Sequence, residues 1–180
     1  MEKITILDRL NTAALMLVTA EVAEVKNVRK RTGYGTKPTF DRPHPIPTEY
    51  VEIGGVKVRY AREGIKDGET VLLMSPLPQS IIAYAPIWQK LTEKFNVIAY
   101  DLPGFGGSEG GKRFMTFKAQ GEFLKKLIEH FEIKKPHLVG PDVGMPAALY
   151  YTGTYENEVR SLIVGDGPAI DPSTNGSIIN

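Results

Sequence analysis

One short stretch, Gly140-x-Asp142-x-Gly144, sets a carboxylate between two glycines, after a strand candidate at His137–Val139 and before a helix candidate. Small residues around one side chain in that setting permit a strained turn that lifts the side chain above a sheet. A serine at such a turn needs a neighbouring base and suits attack on a carbonyl carbon. A carboxylate, with an ordinary pKa of about 3.9, is ionised at neutral pH without help. It can displace a leaving group from a saturated carbon, as in a haloalkane or an epoxide, and form an alkyl ester. Hydrolysing that ester needs a base to activate water, usually a histidine. Asp142 also has a second reading as a helix N-cap, because aspartate caps well and Pro146 suits a first helical turn. No serine stands at the centre of this turn.

Other loops share that edge if the surrounding runs are strands. Short apolar runs lie at Val71–Met74, Val97–Tyr100, Leu138–Val139 and Leu162–Val164, with helical patterns between them at about Ile82–Lys94, Phe117–Phe131 and Met145–Tyr155. Runs this brief suit parallel strands covered on both faces. The second helical segment has the clearest period: Phe117, Leu124, Leu127, Ile128 and Phe131 on one face, Lys118, Glu122, Lys125 and Glu129 on the other. Upstream, Tyr50–Ile53 and Val56–Tyr60 flank Gly54-Gly55, a two-residue hairpin signal. A hairpin followed by alternating strands and helices predicts an α/β fold with right-handed crossovers. In such sheets chemistry gathers at the carboxyl ends of the strands. That edge receives Ser75–Gln79, Asp101–Gly106 and Gly140–Gly144.

Composition narrows the function classes. The 180 residues are 42% hydrophobic and 24% charged, ordinary for one globular domain. With 22 Lys+Arg against 21 Asp+Glu, the net charge of +1 gives no field for steering nucleic acid. The basic cluster Lys26, Arg29, Lys30 and Arg31 reads as a complement to a helix end, and no nucleic-acid partner is expected. Without cysteine there is no disulfide scaffold, iron–sulfur site or thiol nucleophile. The 3 histidines share no ligand spacing, so no metal is expected.

The longest apolar stretch, Ala13–Ala20, falls short of the roughly 20 residues a membrane span needs. It reads as part of an amphipathic helix over about Ile4–Val28 in a cytoplasmic protein, with a signal peptide as the alternative. A Gly- and Pro-rich arm follows, from Gly33 to Pro47. The expected division is therefore 1–49, helix and arm, and 50–180, an α/β core. Gly106, Gly111, Lys112 and Arg113 have P-loop spacing, but Arg113 stands where a magnesium-binding hydroxyl is needed and Glu109 lies inside the cradle. No cofactor is expected.

The segment from Tyr50 to Asp171 resembles the α/β-hydrolase fold family, in its epoxide hydrolase and haloalkane dehalogenase branch. The resemblance is carried by Asp101-Leu102-Pro103-Gly104-Phe105-Gly106-Gly107-Ser108, by His137-Leu138-Val139-Gly140-Pro141-Asp142-Val143-Gly144, and by the order of the elements. It implies a mostly parallel sheet with an N-terminal β-hairpin and flanking helices, truncated after the sixth strand. It also implies Asp142 as nucleophile, with Leu77 and Val143 giving the oxyanion-hole N–H groups and Asp166 as candidate histidine-orienting acid. Pro78 is expected to follow a cis peptide. Ser75-Pro76 replaces the family's His-Gly, and Pro76 has no N–H to offer. Val143 and Leu77 stand where dehalogenases hold halide with polar donors, which argues against dehalogenation. Trp88 is expected to be a packing residue, and Asp101 to organise its own loop.

The family's catalytic histidine comes late in the chain. His137 opens the elbow strand, His130 ends a helix and His44 lies in the arm, so none matches it. The expected identity is the amino-terminal portion of an epoxide hydrolase-like enzyme, incomplete as an isolated chain and acting on a small molecule if active. Three readings stay open: a hydrolase completed by another polypeptide or by self-association through an exposed sheet edge, a non-catalytic α/β binding domain, and a truncated product.

Overall fold

Gly54 and Gly55 adopt φ of +58° and +72°, the left-handed pair that a two-residue hairpin demands. They join β1 (Glu49–Ile53) to β2 (Val56–Gly64) in antiparallel register, Ile53 opposite Val56. In this computed structural model the described residues are 45–168 together with Lys30. The chain divides into two units, Met1–Asp41 and Arg42–Asn180, and the fold below belongs to the second. The helix expected over 4–28 and His44 lie outside the described residues.

Four more strands follow: β3 (Thr70–Met74), β4 (Asn96–Tyr100), β5 (His137–Pro141) and β6 (Ser161–Gly165). The sheet order is β1-β2-β4-β3-β5-β6. β3 lies parallel to β4 and β5, and β5 parallel to β6, while β2 meets β4 antiparallel. This is the mostly parallel α/β sheet that the alternation of short runs predicts.

Between the strands run α1 (Ala85–Thr92), α2 (Phe117–His130) and α3 (Gly144–Thr154). All five residues of β3 and of β4 are buried, because side chains alternate between two covered faces. On one face Leu72, Met74, Ile98 and Tyr100 meet Leu124, Leu127, Tyr151 and their neighbours on α2 and α3. On the other, Val71, Leu73, Val97 and Ala99 meet Ile81, Tyr84 and Trp88. Ile46, which the sequence places in the arm, joins this second cluster. Trp88 is fully buried, and its indole N–H donates to Glu63 Oε2 at 2.6 Å.

Two departures have local causes. The helix expected over Ile82–Lys94 begins as a 3₁₀ turn, Ile81–Tyr84, and turns α-helical only from Ala85. Pro86 has no N–H for an i−4 bond, so the regular ladder cannot run through it. On α2, Phe123 and Gln120 are also buried, because the helix packs against α3 as well as the sheet. Gly121 permits this approach: a Cβ there would lie 2.3 Å from a ring carbon of Tyr150.

Candidate active site

Asp142 sits at φ +49°, a left-handed backbone that L residues adopt at a cost. The glycines around it are there for space. A Cβ on Gly140 would lie 2.6 Å from the Gly144 carbonyl oxygen, and one on Gly144 would lie 2.8 Å from Met74 Cβ. A third glycine belongs to the same turn, since a Cβ on Gly167 would lie 2.3 Å from the Asp142 carbonyl oxygen. The Asp142 N–H donates to Gly165 O at 3.0 Å, fastening the elbow to the end of β6.

The Asp142 carboxylate does not cap α3. Val143 occupies the N-cap position, in helical geometry and with no side-chain cap bond. The carboxylate reaches instead across β3, where Oδ2 accepts from the Leu77 N–H at 2.5 Å. Pro76 therefore does not remove the donor this loop presents. The Leu77–Pro78 peptide is cis. The Val143 N–H lies at the entrance of α3, where helix amides have no i−4 carbonyl and the helix dipole is positive.

Asp101 is the framework of this edge. It is fully buried and accepts from Arg59 Nε at 2.7 Å, Arg59 Nη2 at 2.6 Å, the Ile81 N–H at 2.9 Å and the Gly107 N–H at 2.8 Å. The carboxylate thus ties β2, the turn before α1 and its own loop into one unit, which is wider than the loop-organising role expected for it. Gly106, at φ +53°, leaves the space, since a Cβ there would lie 2.3 Å from Asp101 Oδ2. That requirement explains the glycine without any phosphate cradle. Ser75 is fully buried and its Oγ accepts from the Leu102 N–H at 3.2 Å, joining the loops after β3 and β4. The Tyr84 hydroxyl donates to Met74 O at 2.6 Å, and burial pushes its ionisation well above the ordinary tyrosine range.

Arg59 and Tyr84 were not singled out in the sequence. A buried aspartate demands a cation, but nothing in the order of residues says which of the chain's arginines and lysines supplies it.

Asp166 follows β6 on the same edge as Asp142, exposed and at φ +53°. The two described histidines stand elsewhere. His137 opens β5, at the opposite end of the strand from Asp142, with Nδ1 2.7 Å from Ser161 Oγ and Nε2 3.3 Å from Glu69. His130 is the last residue of α2, which returns the chain to the start of β5. Among the described residues no cluster of three His, Cys, Asp or Glu could hold a metal, and no helix is long and apolar enough to cross a membrane.

Beside the elbow lies a cavity of about 120 Å³ lined mainly by apolar groups, among them Phe105, Phe114, Val143 and Pro146, with Gln120 in its wall. One of its lining residues, Val143, follows Asp142 in the chain.

The chain is similar to known hydrolases across this region. The soluble epoxide hydrolase of Corynebacterium sp. is 28% identical over 114 residues, 63% of this chain and 39% of that protein. Epoxide hydrolase 3 of Xenopus tropicalis is 27% identical over 116 residues, 63% of this chain and 32% of that protein. Among solved structures, the epoxide hydrolase CorEH superposes with a TM-score of 0.63 at 27% identity, covering 68% of this chain and 43% of that one. The chain spans about two fifths of the length of the first curated relatives it matches. The family model described as alpha/beta hydrolase fold matches residues 70–177, over β3 to β6, the elbow and the loops after β3, β4 and β5. The chain belongs to the α/β-hydrolase fold family.

Proposed function

We propose that this chain provides the nucleophile half of an epoxide hydrolase-like site, with Asp142 forming an alkyl ester on a small-molecule substrate. The observation that supports this most is the Leu77 N–H held on Asp142 Oδ2 at 2.5 Å. With Oδ2 occupied, Oδ1 is the oxygen left to attack. It adds to one ring carbon, the C–O bond of the epoxide breaks, and the departing oxygen keeps the electron pair and takes a proton from solvent water. Oδ2 becomes the ester carbonyl. When water adds to the Asp142 carboxyl carbon, negative charge gathers on Oδ2, next to the Leu77 N–H, the Val143 N–H and the positive end of α3. Collapse of that adduct releases a diol and restores the carboxylate.

Ester hydrolysis needs a base, and neither His130 nor His137 stands at this edge. Asp166 is the acid that would orient a histidine delivered there. A base delivered by another polypeptide or a second copy would have β6 to dock on: it is an edge of the sheet among the described residues, with Ile163 61% exposed and Val164 38% exposed. Until a base reaches this edge, the ester persists.

Incubation with styrene oxide followed by peptide mass spectrometry tests this. A stable adduct is expected on the peptide containing Asp142, and none in Asp142→Asn. Failure to label with several reactive epoxides would overturn the reading and leave a non-catalytic α/β binding domain. Multiple turnover by the lone chain, lost in Asp142→Asn, would keep the nucleophile and refute the missing base.

A further inference from the structure

The sheet is finished differently at its two sides. On one side β1 reads Glu49-Tyr50-Val51-Glu52-Ile53, with two carboxylates along it. On the other, β6 reads Ser161-Leu162-Ile163-Val164-Gly165, with no charge and no proline. Charged side chains and prolines are what keep edge strands from pairing with another chain. Among the described residues β6 has β5 as its one strand neighbour, and Ile163 is 61% exposed. The Arg160 N–H donates to Pro136 O at 3.0 Å, toward β5. Backbone groups turn to alternate sides along a strand, so the N–H and C=O of Ser161 and Ile163 turn away from β5, to the open edge.

We propose that β6 pairs with β6 of a second copy of this chain, antiparallel about a two-fold axis at Ile163. Such an axis makes the strand its own partner, so each residue must suit the one opposite. The register sets Ile163 against the partner's Ile163, Leu162 against the partner's Val164 and Arg160 against the partner's Asp166. Apolar meets apolar across the middle, and unlike charges meet at both ends, each a stabilising cross-strand pair. Ile163 exchanges two backbone hydrogen bonds with its symmetry mate. Moving the axis to Leu162 sets Arg160 against the partner's Val164, and moving it to Val164 sets Leu162 against the partner's Asp166. The axis at Ile163 avoids both mismatches, and that self-complementarity points to a second copy as the occupant of this edge. Arg160 gives one guanidinium nitrogen to Glu69 at 2.9 Å, and its side chain is 47% exposed, so other donors remain for the partner's Asp166. The pairing does not depend on the reading of Asp142 as nucleophile.

Sedimentation of the full chain over a range of concentrations reads the association. A monomer–dimer equilibrium is expected, weakened by about tenfold or more in Ile163→Lys. Arg160→Asp and Asp166→Arg should each weaken it by about three- to fivefold, and the double exchange should return it to within about twofold of wild type. Cysteine, of which the chain has none, reads the register. Under mild oxidation Ile163→Cys is expected to form a disulfide-linked dimer, because the two side chains stand opposite each other. Ser161→Cys is not, because its copy lies four residues along the pair, about 14 Å away. A monomer at every concentration overturns the proposal, whether residues 169–180 or another protein covers β6. Equal linking of the two cysteine variants, or a charge exchange that fails to restore the dimer, overturns it as well, and so does assembly beyond two copies. Each outcome leaves the Asp142 labelling experiment intact, and absent labelling leaves this one intact.

Discussion

Two aspartates end strands on either side of β3, and their surroundings are opposite. Asp101, after β4, is fully buried, and its two oxygens accept from Arg59, Ile81 and Gly107. Asp142, after β5, is half-buried, holds a left-handed φ of +49° and, among the described residues, accepts one side-chain bond, from Leu77. The first carboxylate spends its lone pairs on architecture. The second is held up by architecture, with one oxygen fixed by Leu77 and the other taking no part in the framework among the described residues. A strained turn with its carboxylate only partly bonded is where the proposed nucleophile stands; a saturated carboxylate is what keeps the loops in place.

The sharpest separation is all-or-none. Epoxide labelling should vanish in Asp142→Asn and persist in any Asp101 variant that remains folded. Stability should divide the pair the other way. Asp101→Asn leaves the Arg59 guanidinium partly buried without its counter-charge and is expected to cost about 3 kcal/mol in denaturant unfolding, whereas Asp142→Asn should change stability by less than about 1 kcal/mol. Equal costs would break the contrast. A smaller effect is expected from Gly106→Ala, which adds a Cβ against Asp101 Oδ2 at a positive φ. Loss of about 1–3 kcal/mol follows if the Asp101 cage is as tight as its bonds imply.

The smallest effect belongs to a carboxylate that has partners but little burial. Glu158 accepts from Lys125 at 2.7 Å and from the Tyr151 hydroxyl at 2.8 Å, yet 44% of its side chain is exposed. The Lys125 hydrogen bond, followed by that of Tyr151, lowers its pKa. A carboxyl lowered on folding contributes fully above its unfolded value, and the contribution fades as pH falls through the folded value. Glu158→Gln should therefore lower the melting temperature by a degree or so at neutral pH, an effect of under about 1 kcal/mol. The gap between wild type and variant should close on acidification. A loss as large as that of Asp101→Asn would mean that partner count, not burial, sets the difference between the aspartates.

Much of the fold was legible because its signals are local. Gly54-Gly55 fixes a hairpin through φ alone, and the five-residue apolar runs mark covered strands. The strained turn was legible for the same reason: glycines flank one carboxylate between a strand and a helix. The break in the first helix was legible in principle at Pro86. The partners of Asp101 were not. Arg59 lies 42 positions away and Ile81 offers only a backbone N–H, which every non-proline residue has. The burial of Gln120, whose Nε2 donates to the Pro103 carbonyl, was equally hidden, because on α2 the residue looks like any polar position in the helical period.

By itself the sequence determined the order of strands and helices, the position of the strained turn and the residue at its tip. These depend on backbone freedom and apolar period, which neighbouring residues decide among themselves. Only the tertiary structure decided what the Asp142 carboxylate does with its oxygens. The competing reading, a helix cap, uses the same residue at the same turn. The choice went to the Leu77 N–H because β3 runs beside β5 and brings that loop within reach, a contact between residues 65 positions apart. No local rule contains that distance.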